Sequence, residues 1–494
     1  MSETLSILPG PFWVVALLLL LGGGWAVTHI RGGLGLPVLA VLGTTATWYV
    51  GDAFYNDYAN YHTKLFTPEV LSAAWWQVAL FLAVFLVLVP VMHRWFNARS
   101  LRRTSQIVHL LRVGVGQPEL QAQVNLMFRG CLIVWLVLVA IAAVRLRDEL
   151  PYYFAPYLAY KADPWGRGQI GGGFDSLLAL AAYVQMFVAS IFGVVAALAQ
   201  NRRVRTLALI GVLLTWPFYL FDRTRNFMLV VMVPGILGWV FLRLRIGMLP
   251  KILILAVCYY MINAWFAFVI ANRAEISIVD AVNGEGVSLK DAREKHHEGL
   301  NMFEELCWVN TFIENGTYRP NWGARYFAEL VNPVPRVLWP GKPLIGLDYA
   351  VARGQQYGDD GSVTATISTG MIGQGAVNFG LILGPMFAAW LMSMWAAILA
   401  GLDLRGDELG RVPLFALGMI LTFNLGRDIT LITLYTFVFG ALVIWWVGRS
   451  QRRPPPARVR RTGPAGRPQP RQWVGPSWSV PPPPEELAPR PPLP

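Results

Sequence analysis

Charged residues are scarce in this chain. Asp, Glu, Lys and Arg make up 14% of its 494 residues, against about 25% in an ordinary soluble domain. Hydrophobic residues make up 55% and gather in runs of about 20 residues, the length that spans a bilayer core. Eleven such runs are 11–30, 34–52, 73–92, 126–144, 174–199, 206–221, 227–243, 252–271, 379–400, 412–426 and 430–448. The composition excludes a soluble globular protein and predicts an all-α polytopic membrane protein with about eleven transmembrane helices.

Cysteine and metal-ligand motifs are also scarce. The chain has three cysteines, two of them inside predicted spans, and these cannot form a disulfide framework. The doublet His296-His297 lacks the i, i+4 spacing that places two imidazoles on one face of a helix. We therefore predict no metal site and no cofactor.

Lys and Arg are absent from the first eleven residues. The first apolar run thus lacks the basic flank of a signal peptide and is predicted to be a retained span. With the C-terminal tail inside, the inner loops hold 14 Lys and Arg and the tail nine more, whereas the short outer loops hold eight. This asymmetry predicts an outside N-terminus and a cytoplasmic C-terminus. The net charge of +12 follows from these flanks and the tail, so we do not expect nucleic acid as a partner.

The remaining segments divide the chain. Residues 1–271 contain the first eight predicted spans, interrupted at 93–125 by an amphipathic inner connector. Residues 272–378 form an extracytoplasmic loop, expected to lie as a lid on the membrane surface, and 379–448 contain the last three spans. Residues 449–494 are rich in Pro and Arg and are predicted to be a disordered cytoplasmic tail. No internal repeat is evident, which disfavours a transporter built from inverted halves.

A rigid proline-bound stretch, "NPVPRVLWPGKP" at 332–343, stands near the end of the outer loop. Its prolines fix the backbone around Arg336, and a guanidinium on a stiff frame suits phosphate or carboxylate. Trp339 and Lys342 follow on the same stretch. Binding of lipid head groups by Arg336 is the alternative.

Two short outer turns also carry charge. "FDRTRNFMLV" contains Asp222 and Arg225, and "NLGRDITL" contains Arg427 and Asp428. Ionisable residues at membrane depth are costly and usually mark a pathway or site. The alternative is that Arg and Asp simply pair with each other at the membrane interface.

Three further patterns lie in or near the loop. Apolar residues at a helical period in "NMFEELCWVNTFIENG" predict a helix whose apolar face lies on the membrane. Arg325 and Glu329, four residues apart, predict a surface ion pair. Five glycines in "TATISTGMIGQGAVNFGLILG", 364–384, predict an irregular start to the next span that permits close approach to a ligand. The alternative for the glycines is a helix-packing face.

Together these motifs resemble the Wzy-type O-antigen and exopolysaccharide repeat-unit polymerases, over roughly residues 206–448. Pro335-Arg336 followed by Trp339-Pro340-Gly341-Lys342-Pro343, and then Asn378-Phe379-Gly380, match the family pattern in order. Thr224-Arg225 and Arg427-Asp428 match two further elements loosely. Gln374 stands where a Glu is expected, which puts a carboxylate role at that position in doubt.

The resemblance implies a membrane glycosyltransferase that polymerises undecaprenyl-diphosphate-linked oligosaccharide units on the outer face of the bacterial inner membrane, without a metal. Arginines at the membrane surface would then stabilise the leaving diphosphate; the residues expected in this role are Arg336, Arg225 and Arg427. The base for the acceptor hydroxyl is left open among Asp222, Asp428, Glu304 and Glu305. Expected substrate contacts are Trp339, Lys342, Arg353, Asn378 and Gln374. Besides the lipid-linked oligosaccharide, the expected partners are membrane lipids and a chain-length regulator.

Two other functions remain open from the sequence. A ligase that moves finished glycan onto another acceptor shares the helical bundle, the large outer loop and the undecaprenyl diphosphate chemistry. A polysaccharide flippase or transporter would be favoured by cations buried at mid-span, whereas here the cations gather at the outer ends of the predicted spans.

Overall fold

The computed structural model consists of helices joined by turns and loops, and it describes residues 7–165, 175–222, 225–272, 277–294, 301–332, 334, 337–343, 346–354, 367–406 and 410–450. Within these ranges no strand occurs, so the predicted all-α class is confirmed. The first helices are α1 (Gly10–Thr28), α2 (Gly35–Thr45), α3 (Gly51–Tyr55), α4 (His62–Leu65), α5 (Pro68–Asn97), α6 (Gln106–Val113), α7 (Pro118–Leu146), α8 (Leu150–Phe154), α9 (Asp175–Leu198) and α10 (Arg202–Leu220). They are followed by α11 (Arg225–Gly238), α12 (Met248–Asn272), α13 (Ile278–Val282), α14 (Leu289–Glu294), α15 (Met302–Glu314), α16 (Ala324–Leu330), α17 (Leu347–Ala352), α18 (Gly370–Leu404), α19 (Arg411–Leu425) and α20 (Leu431–Ser450).

Eight helices in the described part of the chain are long and apolar enough to cross a membrane. These are α1, α5, α7, α9, α10, α12, α18 and α11 together with the π-helical turn Trp239–Arg243 that continues it, and each coincides with a predicted run. The other three runs fall on shorter elements. The run 34–52 is interrupted, because α2 passes through a π-helical turn at Ala46–Val50 before α3 begins. The runs 412–426 and 430–448 fall on the shorter apolar helices α19 and α20. The count of eleven spans therefore stays a prediction.

The centre of the bundle is the packing of α18 against α5, with α2, α15 and α19 around them. On α5 the rings of Trp75, Phe81 and Phe85 are fully buried. On α18 small residues such as Ala388 and Ala396 are fully buried as well. Small side chains on one helix let large rings on the next approach closely, which is how helices pack where water supplies no driving force between them.

The glycine-rich start of α18 is a sharp break in the helix. Gly380 has φ 83° and ψ 178°, a conformation that only glycine adopts readily. The segments on either side of it fold against each other so closely that a Cβ on Gly375 would lie 2.2 Å from the carbonyl oxygen of Gly384. The expected irregular start is therefore present. In the described structure, however, the close backbone approach joins two parts of the same helix.

The described helices of the segment 272–378, the predicted outer loop, belong to the bundle. Residues 1–449 form one compact unit, and helix α15 packs against α5 and α18. Phe303, Leu306 and Val309 on α15 are fully buried within the protein. The predicted helix is confirmed, but the prediction that its apolar face lies on the membrane is wrong, because that face fills a space between two spans. The tail beyond residue 450 lies outside the described residues.

The two ends of the bundle are distinguished by the course of α18. At its C-terminal end, Asp403 accepts a hydrogen bond from the backbone N–H of Ile107 (2.9 Å) and so holds α6, the short helix of the predicted connector 93–125. We call this the connector end. At its N-terminal end, α18 meets the turn after α19 and the loop helices, and we call this the site end.

Candidate functional site

The site end is built by backbone contacts among three elements distant in sequence. The N–H of Met371 donates to the carbonyl of Gly426 (3.0 Å), and the N–H of Ile372 donates to the Tyr49 hydroxyl (2.9 Å). The N–H of Thr369 donates to Oδ1 of Asp428 (3.3 Å). These contacts satisfy the otherwise unpaired first N–H groups of α18, and they bring the Arg427-Asp428 turn beside the start of that helix.

Arg325 lies inside this end of the protein. Only 4% of it is exposed, and its Nη2 lies 3.6 Å from Oδ1 of Asp428. The predicted surface pair with Glu329 is wrong: Glu329 is 2% exposed and accepts a hydrogen bond from Nε2 of Gln374 (3.0 Å). The Nε and Nη1 groups of Arg325 make no hydrogen bond within the described structure. A buried guanidinium with two unused donors is costly, so this group is suited to an anion that completes its coordination.

A glycine, Gly346, lies beside the Arg325 guanidinium. Gly346 precedes α17 with φ 64°, and a Cβ there would lie 3.4 Å from Cζ of Arg325. Gly346 therefore permits the left-handed turn that begins α17, and its backbone lies against the guanidinium.

Gln374 and Asn378 support this cluster from the first turns of α18. Both are fully buried. Gln374 accepts from the N–H of Ile429 (2.7 Å) while it donates to Glu329. Asn378 donates to the carbonyl of Gln374 (2.7 Å) and accepts from the N–H of Tyr326 (3.4 Å). An amide at 374 can donate to a carboxylate, whereas an ionised Glu could not. The described contacts of both residues position the loop helix α16 against α18.

The predicted arginines are placed unequally. Arg427 is half-buried and its Nε donates to the Ser368 hydroxyl (2.9 Å), so it lies in the same cluster as Asp428. Arg225 begins α11, a helix that packs against α19, but its side chain lies outside the described residues. Arg336 also lies outside the described residues.

The carboxylate of Asp222 is committed to an ion pair. Its side chain is 5% exposed and binds the ammonium of Lys161, which also lies 4.0 Å from the ring centre of Phe218. Lys161 precedes α9 in the chain, so the partner of Asp222 comes from another loop. An aspartate held this way is a poor proton acceptor, because the nearby cation favours its ionised form.

Glu305, which is buried, and Arg353, which is half-buried, form a second ion pair. The Arg353 guanidinium donates to both oxygens of Glu305 (3.0 and 3.3 Å), and the Tyr349 hydroxyl donates to one of them (2.8 Å). Arg353 also stacks on Trp308, 4.5 Å from the ring centre. This pair fastens α17 to α15, and the described contacts of Arg353 are therefore with the protein itself.

Glu304 differs from its neighbour. Its side chain is 13% exposed, accepts from Nε1 of Trp308 (3.2 Å) and lies 3.8 Å from Nη2 of Arg353. Burial, followed by the charge of Glu305, raises the pKa of Glu304 above its ordinary value. A carboxylate with a raised pKa that still reaches the surface is suited to general base chemistry.

The position of Glu304 depends on Asp52. Asp52 is fully buried and accepts from the backbone N–H groups of Phe303 (2.8 Å) and Glu304 (3.0 Å). It therefore caps the N-terminus of α15 from a distant part of the chain, where the helix dipole favours a negative charge. Sequence reasoning missed both Asp52 and Arg325. The only sequence signal for Asp52 is a carboxylate at the end of an apolar run.

In the described part of the proline stretch, a lysine side chain binds backbone carbonyls of the same stretch. The Lys342 ammonium, 4% exposed, donates to the carbonyls of Asn332 (2.7 Å) and Val334 (2.9 Å). Trp339 is 37% exposed and meets Phe327 edge to face, with ring centres 6.3 Å apart. Lys342 therefore fixes the loop, while Trp339 lies at its surface.

No family model, curated protein or solved structure matches the chain. Among the described residues, no group of three or more His, Cys, Asp or Glu side chains is placed to hold a metal ion.

Proposed function

We propose that the protein is a membrane glycosyltransferase that polymerises undecaprenyl-diphosphate-linked oligosaccharide units on the outer face of the bacterial inner membrane. The observation that carries the proposal is Arg325, a buried guanidinium at one end of an apolar helical bundle whose Nε and Nη1 nitrogens make no hydrogen bond among the described residues. Arg427 lies beside it through Asp428. Such a cluster fits a diphosphate whose lipid tail lies in the membrane, since planar guanidinium groups bind phosphate oxygens in pairs.

In the proposed reaction, a hydroxyl of one lipid-linked unit attacks the anomeric carbon of the growing chain. The bond between that carbon and the diphosphate oxygen breaks, and the diphosphate leaves with the electron pair. Arg325, Arg427 and, from the resemblance, Arg336 and Arg225 stabilise the charge that develops on the leaving group. Glu304, whose pKa is raised and which lies 3.8 Å from Arg353, takes the hydroxyl proton. Glu305 and Asp222 are paired more closely with a cation, and Asp428 lies 3.6 Å from Arg325 and also accepts from the N–H of Thr369.

The test replaces Arg325 in membranes that contain the full-length chain and its lipid-linked substrate. We expect Arg325→Ala to lower the polymerisation rate roughly 30- to 1000-fold, which corresponds to the loss of about 2–4 kcal/mol at the transition state. Arg325→Lys is also expected to be poor, because an ammonium lacks the bidentate fork. Glycan length on a gel, read beside a blot of the membrane protein, reports the outcome.

Arg319→Ala is the matched control, because Arg319 is an exposed arginine of the same loop. Single lipid-linked units should accumulate with Arg325→Ala and polymer should form with Arg319→Ala, at equal protein levels. Near-normal polymer from Arg325→Ala would refute the proposed diphosphate site. Loss of transfer to a separate acceptor, with polymer length unchanged, would favour the ligase instead.

A further inference from the structure

A second candidate binding site lies at the connector end, between α1 and α5. It is a cleft of about 540 Å³, within the range of roughly 300–1,000 Å³ that is common for ligand sites. Leu18 and Leu21 from α1 and Leu86 from α5 line one part of it, and His29, His93 and Arg94 line the other. Among the residues that the structure describes, no Asp or Glu lines this cleft. The cleft is therefore apolar at one end and basic at the other.

The polar end presents oriented donors. Nδ2 of Asn97 donates to the carbonyl of Ala397 (2.8 Å), while its Oδ1 accepts from Arg405 (3.3 Å). The same Nδ2 lies 3.2 Å from Nδ1 of His93, so Nδ1 is the acceptor and the neutral ring carries its proton on Nε2. His93 therefore offers an N–H in the cleft beside the exposed guanidinium of Arg94.

The second imidazole is held in place by α1. Nδ1 of His29 lies 2.9 Å from the carbonyl of Trp25, and its ring packs on the Trp25 indole at a tilt of 30° with centres 4.4 Å apart. A carbonyl can only accept, so Nδ1 carries the proton in that contact. Nε2 of His29 is left for a ligand, and it becomes a donor when the ring is protonated.

The dimensions of the cleft match a lipid chain. Leu86 lies eight residues before Arg94 on α5. Leu18 lies on α1, eleven residues before His29, which directly follows the end of that helix. At 1.5 Å per residue these separations are about 12 and 16 Å. One leaflet of a bilayer has a hydrocarbon thickness of about 15 Å, half of the roughly 30 Å core. A head group at Arg94 thus places an acyl chain along the leucines.

We propose that this cleft binds an anionic phospholipid. The phosphate lies against Arg94 and Nε2 of His93, with His29 on the other side, and one acyl chain packs on Leu18, Leu21 and Leu86. The site is separate from the proposed diphosphate site, which lies at the opposite end of α18. Charge complementarity favours an anionic over a zwitterionic lipid, because the cleft has cationic and no acidic side chains.

The test titrates the full-length chain, purified in a neutral detergent, with phosphatidylglycerol and with phosphatidylcholine of the same acyl chains. Native mass spectrometry reports the bound lipid. We expect tighter binding of phosphatidylglycerol, weakened roughly fivefold by Arg94→Gln through loss of an exposed charge contact. Leu21→Trp fills the apolar part and should weaken both lipids.

The matched controls are Arg99→Gln, an exposed arginine of the same inner segment, and Leu20→Trp, a lipid-facing neighbour that is 75% exposed and does not line the cleft. Neither should change lipid binding. Equal affinity for both lipids, or equal losses in the test and control variants, would overturn the proposal. Displacement of the lipid by inorganic phosphate alone would also overturn it, because it would leave the leucines without a role.

Discussion

Arg325 and Glu304 illustrate how surroundings decide what a charged side chain does. Arg325 is nearly fully buried, yet only part of its hydrogen-bonding capacity is used. Glu304 lies beside the fully paired Glu305, but it keeps a path to the surface. Adjacent carboxylates on one helix thus have different tasks: Glu305 fastens α17, and Glu304 is available for proton transfer in the proposed reaction.

The raised pKa of Glu304 predicts a pH dependence. Glu304 accepts a proton only when ionised, so the proposed activity should rise as pH increases through its pKa, and the acid limb should lie above the roughly 4.3 of an ordinary Glu. Glu304→Gln should remove the activity at every pH. The measurement is the initial polymerisation rate against pH.

Glu305→Gln provides the control for this assignment. Removing the charge of Glu305 removes one cause of the raised pKa and leaves Arg353 to pair with Glu304. The acid limb should therefore move to lower pH, even if the loss of the ion pair also reduces the maximal rate. An acid limb that stays in place in Glu305→Gln, or that survives in Glu304→Gln, would exclude Glu304 as the base.

At the scale of elements, α18 shows how a glycine-rich helix start is used. Its first turns carry Gln374 and Asn378 into the buried cluster, and the break at Gly380 lets the following span turn away. Without the break, the polar first turns and the long apolar segment would lie on one axis. The break is thus what allows one helix to serve both the site end and the core.

Gly380→Ala tests the importance of this break. Forcing a Cβ into this backbone conformation, which is essentially restricted to glycine, costs roughly 1–3 kcal/mol, so we expect a lower midpoint of thermal unfolding in detergent and weaker polymerisation. Gly23→Ala is the control, because a Cβ at that position in α1 has open space around it. Alanine there should be neutral or stabilise by up to about 1 kcal/mol through helix propensity. Equal midpoints of thermal unfolding for the two variants would contradict the importance of the break at Gly380 for stability.

Helix α15 shows the limit of periodicity as a guide. The spacing of apolar residues predicts the helix, because one face of a helix repeats every 3.6 residues. It cannot tell whether that face meets lipid or protein, since both are apolar. Asp52 caps the N-terminus of α15 and so fixes the helix among the spans. The apolar face of α15 therefore contacts protein and not lipid.

At the scale of the whole molecule, the orientation in the membrane remains a prediction from the distribution of Lys and Arg. It is tested with single cysteines at exposed positions, Lys290→Cys in the loop and Arg203→Cys in the first turn of α10, in a Cys258→Ala background. A membrane-impermeant thiol reagent added to intact cells should label position 290 and leave position 203 unlabelled. Inverted vesicles should give the reverse, and a tag on the C-terminus should be accessible only in them. Labelling of position 290 only from the inside would overturn the orientation.

The sequence by itself determined the helical class and the position of the eight membrane-length helices. A bilayer demands about 20 consecutive apolar residues with every backbone group bonded within the segment, and that demand can be read locally. The sequence also singled out the Arg427-Asp428 turn and the glycine-rich start of α18, since charge at membrane depth and clustered glycine are local features.

Only the tertiary structure decided which charges meet. Arg325 pairs with Asp428, and Asp52 caps α15, across separations of about a hundred residues or more. The same packing turned an expected surface pair into two buried groups and separated the roles of Glu304 and Glu305. Burial and partners set the energy of a charged group, and both depend on which helices pack together, which no local pattern of residues specifies.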